Sequence, residues 1–385
     1  MIRFAIAKIA FFFYYRYDLL RGKDGTAYPG RLLMKLCPDF NKMILKGIDC
    51  ILVTGTNGKT TTTKMIASLL KANGIRCVYN YDGGNLVYSI AASLARQISI
   101  FNKHKIKKVV LECDERHVKE IAEMVDISVI VVTTMDKDYS FTHLSVDEFV
   151  KRIKDGIETA KGAVICMNEA DNYNISLREF KDRKYIYYKM LDNHILVDGE
   201  SFKLELKMRG RYNLENAAAA LSAAKSLDLL NDKSINAICD VRSAYGRFET
   251  IEVRKCKCTI ALIKNPAGCK AVCEEILDYN LCKERILFLG FFREDDFMLE
   301  LDLPNHLEFE KMNKKFDKIY VLDNHELINK YLDGKGIVID YKMMIEIIEN
   351  LDEPVIMALG YYAMLKVRKM LANRNYVKDF WCDPN

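Results

Sequence analysis

Apolar runs and helical patterns alternate along the first part of the chain. An apolar run at 51–53 ends at a glycine-bearing loop, and a segment that suits a helix follows it. Strands separated by helices indicate a mostly parallel, doubly wound sheet, whose ligands bind beyond the carboxyl ends of the strands. Strands are predicted at 51–53, 76–79, 107–112, 127–133 and 163–167, and helices at 31–45, 60–73, 118–124 and 146–160.

Four residues fall at or just past these predicted strand ends. They are Gly55, Glu112, Thr134 and Asn168. Because the carboxyl ends of parallel strands meet at one edge of a sheet, we expect the four residues to share one crevice.

The later part of the chain repeats the alternation. Residues 172–206 are polar and are predicted to be irregular, with β-like patches such as 184–188. A helix with an alanine-rich face is predicted at 213–227, and 241–246 has the character of an interdomain joint. Further helices alternate with strands predicted at 259–263, 286–289, 318–322, 336–339 and 354–358. This pattern indicates a second, smaller α/β domain.

The N-terminal stretch leaves two readings open. Residues 2–15 are mostly apolar, with Arg3 and Lys8 among them, and a membrane-spanning helix needs about 20 apolar residues. The stretch is either an amphipathic helix packed on the core or a helix resting against a membrane surface. Residues 22–30 follow, and their glycines and proline predict a loop.

Composition limits the class of protein. The chain has 385 residues, of which 50% are hydrophobic, enough for two or three domains. Its formal net charge is +5, but no basic stripe interleaved with aromatic residues indicates nucleic acid as a partner. Twelve cysteines include no Cys-x-x-Cys pair, so we expect no structural zinc and a reducing cytoplasm.

The loop after the first strong strand has the chemistry of a phosphate site. Gly55 and Gly58 let the backbone bend towards an anion, Lys59 can reach the β- and γ-phosphates, and Thr60 can offer a hydroxyl to Mg²⁺. The helix that follows adds its positive N-terminal end. The predicted nucleotide-binding residues of the loop are Gly55, Thr56, Asn57, Gly58, Lys59, Thr60 and Thr61.

Motifs spread over nearly the whole chain resemble the Mur ligase superfamily, the ATP-dependent enzymes of peptidoglycan assembly. Within it they resemble the MurT subgroup, the ligase-like subunits of lipid II isoglutaminyl synthase. Val53 stands where a general phosphate loop has its first glycine, which suits the Mur type. The motifs lie at 25–30, 55–63, 79–85, 111–115, 210–218, 246–249, 263–268 and 362–368.

The resemblance implies an organisation into domains. It predicts an N-terminal helical segment at 1–45 and a central ATP-binding phosphate-loop domain of the Mur ligases at 46–242. A smaller Rossmann-like C-terminal α/β domain of the MurT type is predicted at 243–385.

The resemblance also implies roles for single residues. It makes Glu112 and Thr60 ligands of Mg²⁺, places Asn213 and Asn216 at the adenine and ribose, and brings Arg247 onto the γ-phosphate. Each has a structural alternative: a surface carboxylate at a strand end for Glu112, a helix capped by Asn213, and an interdomain ion pair for Arg247. Lys59, Glu112 and Arg247 are the predicted catalytic residues in the nucleotide site.

Other implied residues belong to the substrate and partner sides. Asn85, Lys264 and Asn265 are predicted to face the substrate, with a loop stabilised by proline and glycine as the alternative for the last two. Asp296 and Asp302 correspond by position to an acidic segment that assists a glutaminase partner, and we include them among the catalytic candidates.

Some segments depart from the subgroup. The four-cysteine zinc ribbon of many MurT proteins is absent, since no cysteine lies between Cys166 and Cys239. At 133–141, Thr134 and Tyr139 replace expected polar groups. Nearby His143 is read as structural or solvent-facing rather than as a ligand. Both tryptophans of the acidic segment are missing at 296–302.

The implied activity is ATP-dependent amidation of the D-glutamate α-carboxyl of lipid II. ATP and Mg²⁺ would be the cofactors, and a class-I glutaminase subunit of the GatD type would supply ammonia, in the cytoplasm or at the inner face of the membrane. Two alternatives stay open: an amino-acid-adding ligase of the Mur or folylpolyglutamate type, and a non-catalytic ATP-binding scaffold.

Overall fold

The computed structural model describes the chain as two compact units. The first contains the elements up to Val241, and the second contains those from Arg242 onwards. The described residues are 2–20, 27–99, 103–135, 145–171, 174–192, 194–242, 246–263, 266–278, 284–291, 308–323 and 326–378.

The first unit has nine α-helices and eight strands in its described part. The helices are α1 (Ile2–Leu20), α2 (Ala27–Leu36), α3 (Phe40–Leu45), α4 (Lys59–Ala72), α5 (Val87–Gln97), α6 (Val118–Ala122), α7 (Val146–Thr159), α8 (Tyr212–Ser226) and α9 (Asp232–Cys239). The strands are β1 (Asp49–Thr54), β2 (Cys77–Tyr79), β3 (Lys108–Glu112), β4 (Ile127–Val132), β5 (Val164–Asn168), β6 (Tyr185–Leu191), β7 (His194–Val197) and β8 (Glu200–Phe202).

These strands form one sheet in the order β2-β3-β1-β4-β5-β6-β7-β8. Strands β2 to β6 pair in parallel, and β7 and β8 add an antiparallel edge. β1 lies inside the sheet, with Cys50, Ile51, Leu52 and Val53 fully buried, because a parallel strand covered on both faces needs apolar residues at consecutive positions. The predicted mostly parallel sheet is confirmed.

Several local predictions differ from the structure. The helix predicted at 31–45 is two helices, α2 and α3, because Pro38 lacks an N–H and disfavours helical backbone at Cys37. The loop predicted at 22–30 gives way to α2 from Ala27 onwards, and 21–26 lie outside the described residues. In the segment 172–206, β6 coincides with the β-like patch predicted at 184–188, whereas β7 and β8 stand where an irregular chain was expected. Helices α5 and α9 were not predicted.

Helix α1 packs on the first unit through one side. Ala7 and Phe11 are fully buried, and Phe4 stacks on Phe40 with 5.1 Å between ring centroids. These contacts agree with the packed reading of the N-terminal stretch. In the described part of the chain, no helix combines the length and the apolar character that crossing a membrane requires.

The second unit has its own six-stranded sheet, in the order β13-β12-β11-β14-β10-β9. Its strands are parallel except β9, which pairs antiparallel with β10 and was not predicted. The strands are β9 (Arg247–Val253), β10 (Cys256–Leu262), β11 (Ile286–Gly290), β12 (Lys318–Leu322), β13 (Gly336–Ile339) and β14 (Val355–Leu359). The helices are α10 (Pro266–Asp278), α11 (Phe309–Lys315), α12 (Glu326–Tyr331), α13 (Tyr341–Glu349) and α14 (Tyr361–Ala372).

A buried ion pair links the first strand of the second unit, β9, to its last helix, α14. Arg368 of α14 is completely buried and pairs with Glu249 of β9. The same carboxylate accepts a hydrogen bond from the backbone N–H of Gly246 at 3.0 Å. Removing the arginine would leave Glu249, which is only 16% exposed, without its cation.

We therefore expect Arg368→Ala to lower the free energy of unfolding by about 3–5 kcal/mol, the usual cost of breaking a buried pair. Arg285→Ala is the matched control, because Arg285 pairs with Asp317 at 3.0 Å with both side chains more than 40% exposed. It should cost about 1 kcal/mol or less. Urea denaturation followed by circular dichroism measures both, and equal losses would contradict the assignment.

Candidate nucleotide site

The loop between β1 and α4 is built around two glycines with positive φ. Gly55 has φ 122° and Gly58 has φ 90°, values that side-chain-bearing residues rarely adopt. A Cβ atom at Gly55 would collide with Thr133, and one at Gly58 would collide with the side-chain oxygen of Asn216. The loop thus packs tightly, and its sharp bend delivers the chain into α4 at Lys59.

The residues that follow β4 hold this loop in place. The backbone N–H groups of Thr56 and Asn57 donate to the carbonyl of Thr134 at 2.9 and 3.3 Å. Thr133 donates to the carbonyl of Thr54 from its backbone N–H at 2.8 Å and from its hydroxyl at 3.0 Å. Thr134 therefore anchors the loop through its backbone carbonyl. This contact does not depend on which side chain stands at position 134, where the sequence departs from the subgroup.

Lys59 is the first residue of α4 and is 8% exposed. Its Nζ lies 3.0 Å from Glu115 Oε1 and 3.2 Å from the carbonyl of Thr56, and it also donates to the carbonyl of Gly55. Burial lowers the pKa of Lys59, but the charges of Glu115 and Glu112 outweigh it, so the pKa is raised. The lysine is held as a cation at the N-terminal end of a helix, where a phosphate binds best.

Glu115 is the functional candidate that the sequence reading missed. It is 3% exposed, and burial raises its pKa against the opposing charge of Lys59. Glu115 is the last residue of the motif at 111–115. The sequence analysis assigned the Mg²⁺-binding role to the first carboxylate of that motif, Glu112. An ammonium has three donors, and the two loop carbonyls and Glu115 engage all three in this structure. A phosphate that binds Lys59 must therefore share or replace one of these contacts.

Glu112 and Thr60 flank one point beside the loop. A Cβ atom built on Gly83 would lie 3.6 Å from Thr60 Oγ1 and 3.9 Å from Glu112 Oε2. The amide of Asn80 fixes the backbone of Glu112, donating to its carbonyl and accepting from its N–H, both at 2.8 Å. The predicted metal ligands are thus brought together.

A hydroxyl and a carboxylate suit Mg²⁺, which keeps several waters and binds proteins through few carboxylates. The described residues contain no group of three or more His, Cys, Asp or Glu side chains placed to bind a metal. The pair fits an ion whose remaining ligands come from phosphate and water. The expectation of no structural zinc stays a prediction.

Helix α8 meets the loop from the other side. Asn213 and Asn216 are 2% and 6% exposed, and the Asn216 amide donates to Asn213 Oδ1 at 3.0 Å. The side-chain oxygen of Asn216 lies against Gly58. Asn213 sits one residue inside α8 rather than at its cap, so the capping alternative does not describe it.

A second carboxylate, which is partly buried, lies at the ends of β4 and β5. Glu215 of α8 accepts hydrogen bonds from the side chains of Asn168 and Thr134. Burial raises the pKa of Glu215, and these two hydrogen bonds oppose the shift. Gly55, Glu112, Thr134 and Asn168, which we expected to share one crevice, lie at or just past the ends of four neighbouring strands, β1, β3, β4 and β5.

The remaining predicted residues are placed as follows. The carbonyl of Asn85 accepts from the N–H of Asp114 at 3.0 Å, next to the Glu112 strand end. Arg247 is the first residue of β9 in the second unit and is partly exposed. The predictions that fall on Lys264, Asn265, Asp296, Asp302, Tyr139 and His143 lie outside the described residues.

Comparisons with known proteins cover the part of the chain that contains this site. Residues 53–224 match the Mur ligase middle domain. The chain is 26% identical over 307 residues to the Staphylococcus aureus MurT subunit of lipid II isoglutaminyl synthase (glutamine-hydrolyzing), covering 65% of this chain and 69% of that one. The Streptococcus pneumoniae MurT subunit is 22% identical over 313 residues, covering 66% and 69%.

Solved structures share the fold at low identity. The ligase that adds D-alanyl-D-alanine in Acinetobacter baumannii has a TM-score of 0.70 at 16% identity, covering 89% of this chain and 79% of that one. The Thermotoga maritima MurF ligase in complex with ADP has a TM-score of 0.66 at 17% identity, covering 90% and 84%. Mycobacterium tuberculosis folylpolyglutamate synthase with ADP and AMPPCP also reaches 0.66 at 14% identity, covering 91% and 94%.

Residues 53–224 therefore match the Mur ligase middle domain, and the chain has the fold of the Mur ligases. Its curated relatives include the MurT subunits, as the sequence motifs indicated.

The tight packing at Gly58 gives a stability prediction. Gly58→Ala should cost about 1–3 kcal/mol for the positive φ, plus the collision with Asn216. Gly74→Ala is the control, since Gly74 has φ 74° and no atom within 4 Å of an added Cβ. In the Gly58→Ala/Asn216→Ala double variant, part of the loss should return because the collision is gone. Denaturation midpoints that are the same for Gly58→Ala and Gly74→Ala would rule out the clash.

The partly buried Glu215 carboxylate gives a pH prediction. Folding raises the pKa of Glu215 above its ordinary value of 4.5. Its contribution to stability is therefore fully present at a pH below 4.5, and it is lost as the pH rises through the pKa of the folded state. Glu215→Gln should therefore be more stable than the wild type at about pH 8 and equal to it at about pH 4.

The control for this prediction has the opposite sign. Lys189 lowers the pKa of the exposed Glu169, so Glu169→Gln should lose a little stability at high pH rather than gain it. Melting temperatures across this range decide, and a Glu215→Gln curve parallel to that of the wild type would refute the burial argument.

Proposed function

We propose that this chain is the ATP-dependent ligase subunit that amidates the D-glutamate α-carboxyl of the lipid II stem peptide. The observation that carries the proposal is the buried Lys59 at the start of α4, beside Glu112 and Thr60, in a loop of the Mur type. The MurT relatives support lipid II as the substrate and amidation as the reaction.

The chemistry follows from the weakness of a carboxylate as an electrophile. A carboxylate oxygen attacks the γ-phosphorus of ATP, which gives an acyl phosphate and ADP. The nitrogen of ammonia then attacks the acyl carbon, inorganic phosphate leaves, and the nitrogen loses a proton. Placement and charge neutralisation account for most of the catalysis in such phosphoryl transfers.

The described residues divide these tasks. The α4 N-terminus and Lys59 neutralise the phosphates. Thr60 and Glu112 would hold Mg²⁺, which supplies charge stabilisation on the phosphate oxygens. Asn213 and Asn216 would face the nucleoside, and Arg247 of the second unit would contribute a guanidinium to the γ-phosphate.

Ammonia has to come from another source, and the relatives are named as subunits of a glutamine-hydrolysing synthase. We infer a class-I glutaminase subunit of the GatD type as the partner, acting in the cytoplasm where the lipid II precursor is accessible. The acidic segment at 296–302, which the resemblance assigns to assisting the glutaminase, lacks both tryptophans. The cooperation with the partner is therefore the part of the proposal in which this chain differs most from the subgroup.

An amino-acid-adding ligase is the second candidate. The fold match to folylpolyglutamate synthase covers 94% of that chain and favours it. Purified protein with ATP and Mg²⁺ separates the two: the proposal expects ADP release that needs lipid II and ammonium, with an amidated product by mass spectrometry. ADP release stimulated by an amino acid instead would establish the second candidate, and nucleotide binding without turnover would establish a scaffold.

Nucleotide affinity tests the role of Lys59. Lys59→Met combined with Glu115→Gln removes both buried charges together, so the fold is not left with an unpaired carboxylate. Loss of the charge-assisted phosphate contact should weaken ATP binding about tenfold or more, as measured by calorimetry. Lys71→Ala, at an exposed position near the end of the same helix, should leave the affinity unchanged. An unchanged affinity in the double variant would show that Lys59 does not bind phosphate.

A further inference from the structure

Helix α1 has a second face that the packing on the first unit does not use. Ala7, Phe11 and Asp18 are its buried residues. Large apolar side chains at helical spacing stand on the opposite side, and Ile2, Phe13 and Leu20 are 79%, 76% and 88% exposed. We call this the α1 stripe: Ile2, Ile6, Ile9, Phe12, Phe13 and Leu20.

The stripe concentrates the exposed apolar surface of the protein. Of the fifteen large hydrophobic residues that are exposed in the described part of the chain, nine lie between Ile2 and Met43. Single exposed apolar residues are ordinary, but a contiguous apolar patch marks an interaction surface.

Charge around the stripe is predominantly positive. Residues 1–48 contain nine Lys or Arg and three Asp or Glu, a formal charge of +6, whereas the whole chain carries only +5. The acid within α1 is Asp18, which is 1% exposed. Arg3 and Lys8 of α1 donate to the carbonyls of Leu36 and Ile98, whereas Arg16 of α1 and Lys35, Lys42 and Lys46 of the following segment are exposed. This end of the chain therefore presents apolar and basic groups together.

We propose that the α1 stripe lies on the surface of an anionic lipid membrane, with its apolar side chains in the boundary between headgroups and acyl chains. A helix with this combination binds in the plane of the interface through apolar burial and attraction to anionic lipid. The helix lies on the bilayer and does not cross it, in keeping with its hydropathy.

Charge selects the lipid surface over a second copy of the chain. Two copies meeting through their α1 stripes would bring two +6 segments together, and like charges across a contact repel. An anionic bilayer offers the opposite charge and an apolar layer at the same depth. The inference goes beyond the proposed function and does not require it, although a ligase that acts on a membrane-embedded lipid gains from being held there.

Vesicle flotation with the full chain tests the proposal. Vesicles of phosphatidylcholine alone are compared with vesicles that contain phosphatidylglycerol, and both lack lipid II so that binding is measured apart from amidation. We expect about tenfold stronger binding to the anionic vesicles, and a severalfold loss when salt is raised from about 0.1 M to about 1 M, because screening weakens the charge attraction. Equal or absent binding to both kinds of vesicle overturns the proposal.

The matched variants are Ile9→Asp/Phe13→Asp and Ile337→Asp. Ile9 is 58% exposed and Ile337, on β13, is 46% exposed, so neither variant disturbs the core. The double variant should bind anionic vesicles at least about tenfold more weakly, while Ile337→Asp should bind as the wild type does.

Two further outcomes overturn the proposal. One is undiminished vesicle binding by the double variant. The other is a wild-type protein that does not bind vesicles but forms a dimer in analytical ultracentrifugation, where the Ile9→Asp/Phe13→Asp variant is a monomer. That result would assign the α1 stripe to contact with a second copy of the chain. Amidation measured on the same preparations reports separately on the proposed function.

Discussion

The turn from β1 into α4 is the constraint on which the site depends. It needs positive φ at Gly55 and Gly58, and it leaves no room for a side chain at either position. Backbone hydrogen bonds to Thr133 and Thr134 then tie the turn to the neighbouring strand β4. With the turn fixed, the N-terminal end of α4 and Lys59 point where the sheet ends, and the surrounding carboxylates can be arranged around them.

The carboxylates do two different jobs in this arrangement. Glu115 keeps Lys59 charged although the lysine is buried, since an isolated buried ammonium would tend to lose its proton. Glu112, held at its backbone by Asn80, stands next to the Thr60 hydroxyl instead. The candidate phosphate-binding cation, Lys59, and the candidate Mg²⁺ ligands, Thr60 and Glu112, thus lie at the start of α4 and at the end of β3.

The loop and the strands were predictable from the sequence, because their signals lie in short continuous segments. Side-chain partners that are brought together by the register between two strands were not predictable. Gly55, Gly58 and Lys59 lie within five residues of one another, so the phosphate-loop pattern is visible in one short segment. The pairing of Glu115 with Lys59 depends on β3 lying beside β1 with Val53 opposite Glu112, which no single segment specifies. Glu215 was hidden in the same way inside the motif at 210–218.

Other misses had a readable signal. Pro38 marked the break between α2 and α3, and Val87, Ile90, Ala91 and Leu94 marked the buried face of α5. The edge strands β7 and β8 are short and half exposed, so their alternation is too weak to separate from a polar loop. The roles of Lys264, Asn265, Asp296 and Asp302 remain predictions, because these residues lie outside the described part of the chain.

The central claim is that a substrate carboxylate becomes an acyl phosphate at the Lys59 loop. The most direct test supplies lipid II whose D-glutamate α-carboxyl carries ¹⁸O in both oxygens and analyses the inorganic phosphate released with ammonium, ATP and Mg²⁺ by mass spectrometry. The account predicts one ¹⁸O in each phosphate for each amide formed, because the bond between carbon and oxygen breaks when ammonia attacks. Unlabelled phosphate would show that ATP is hydrolysed by water and would contradict the account.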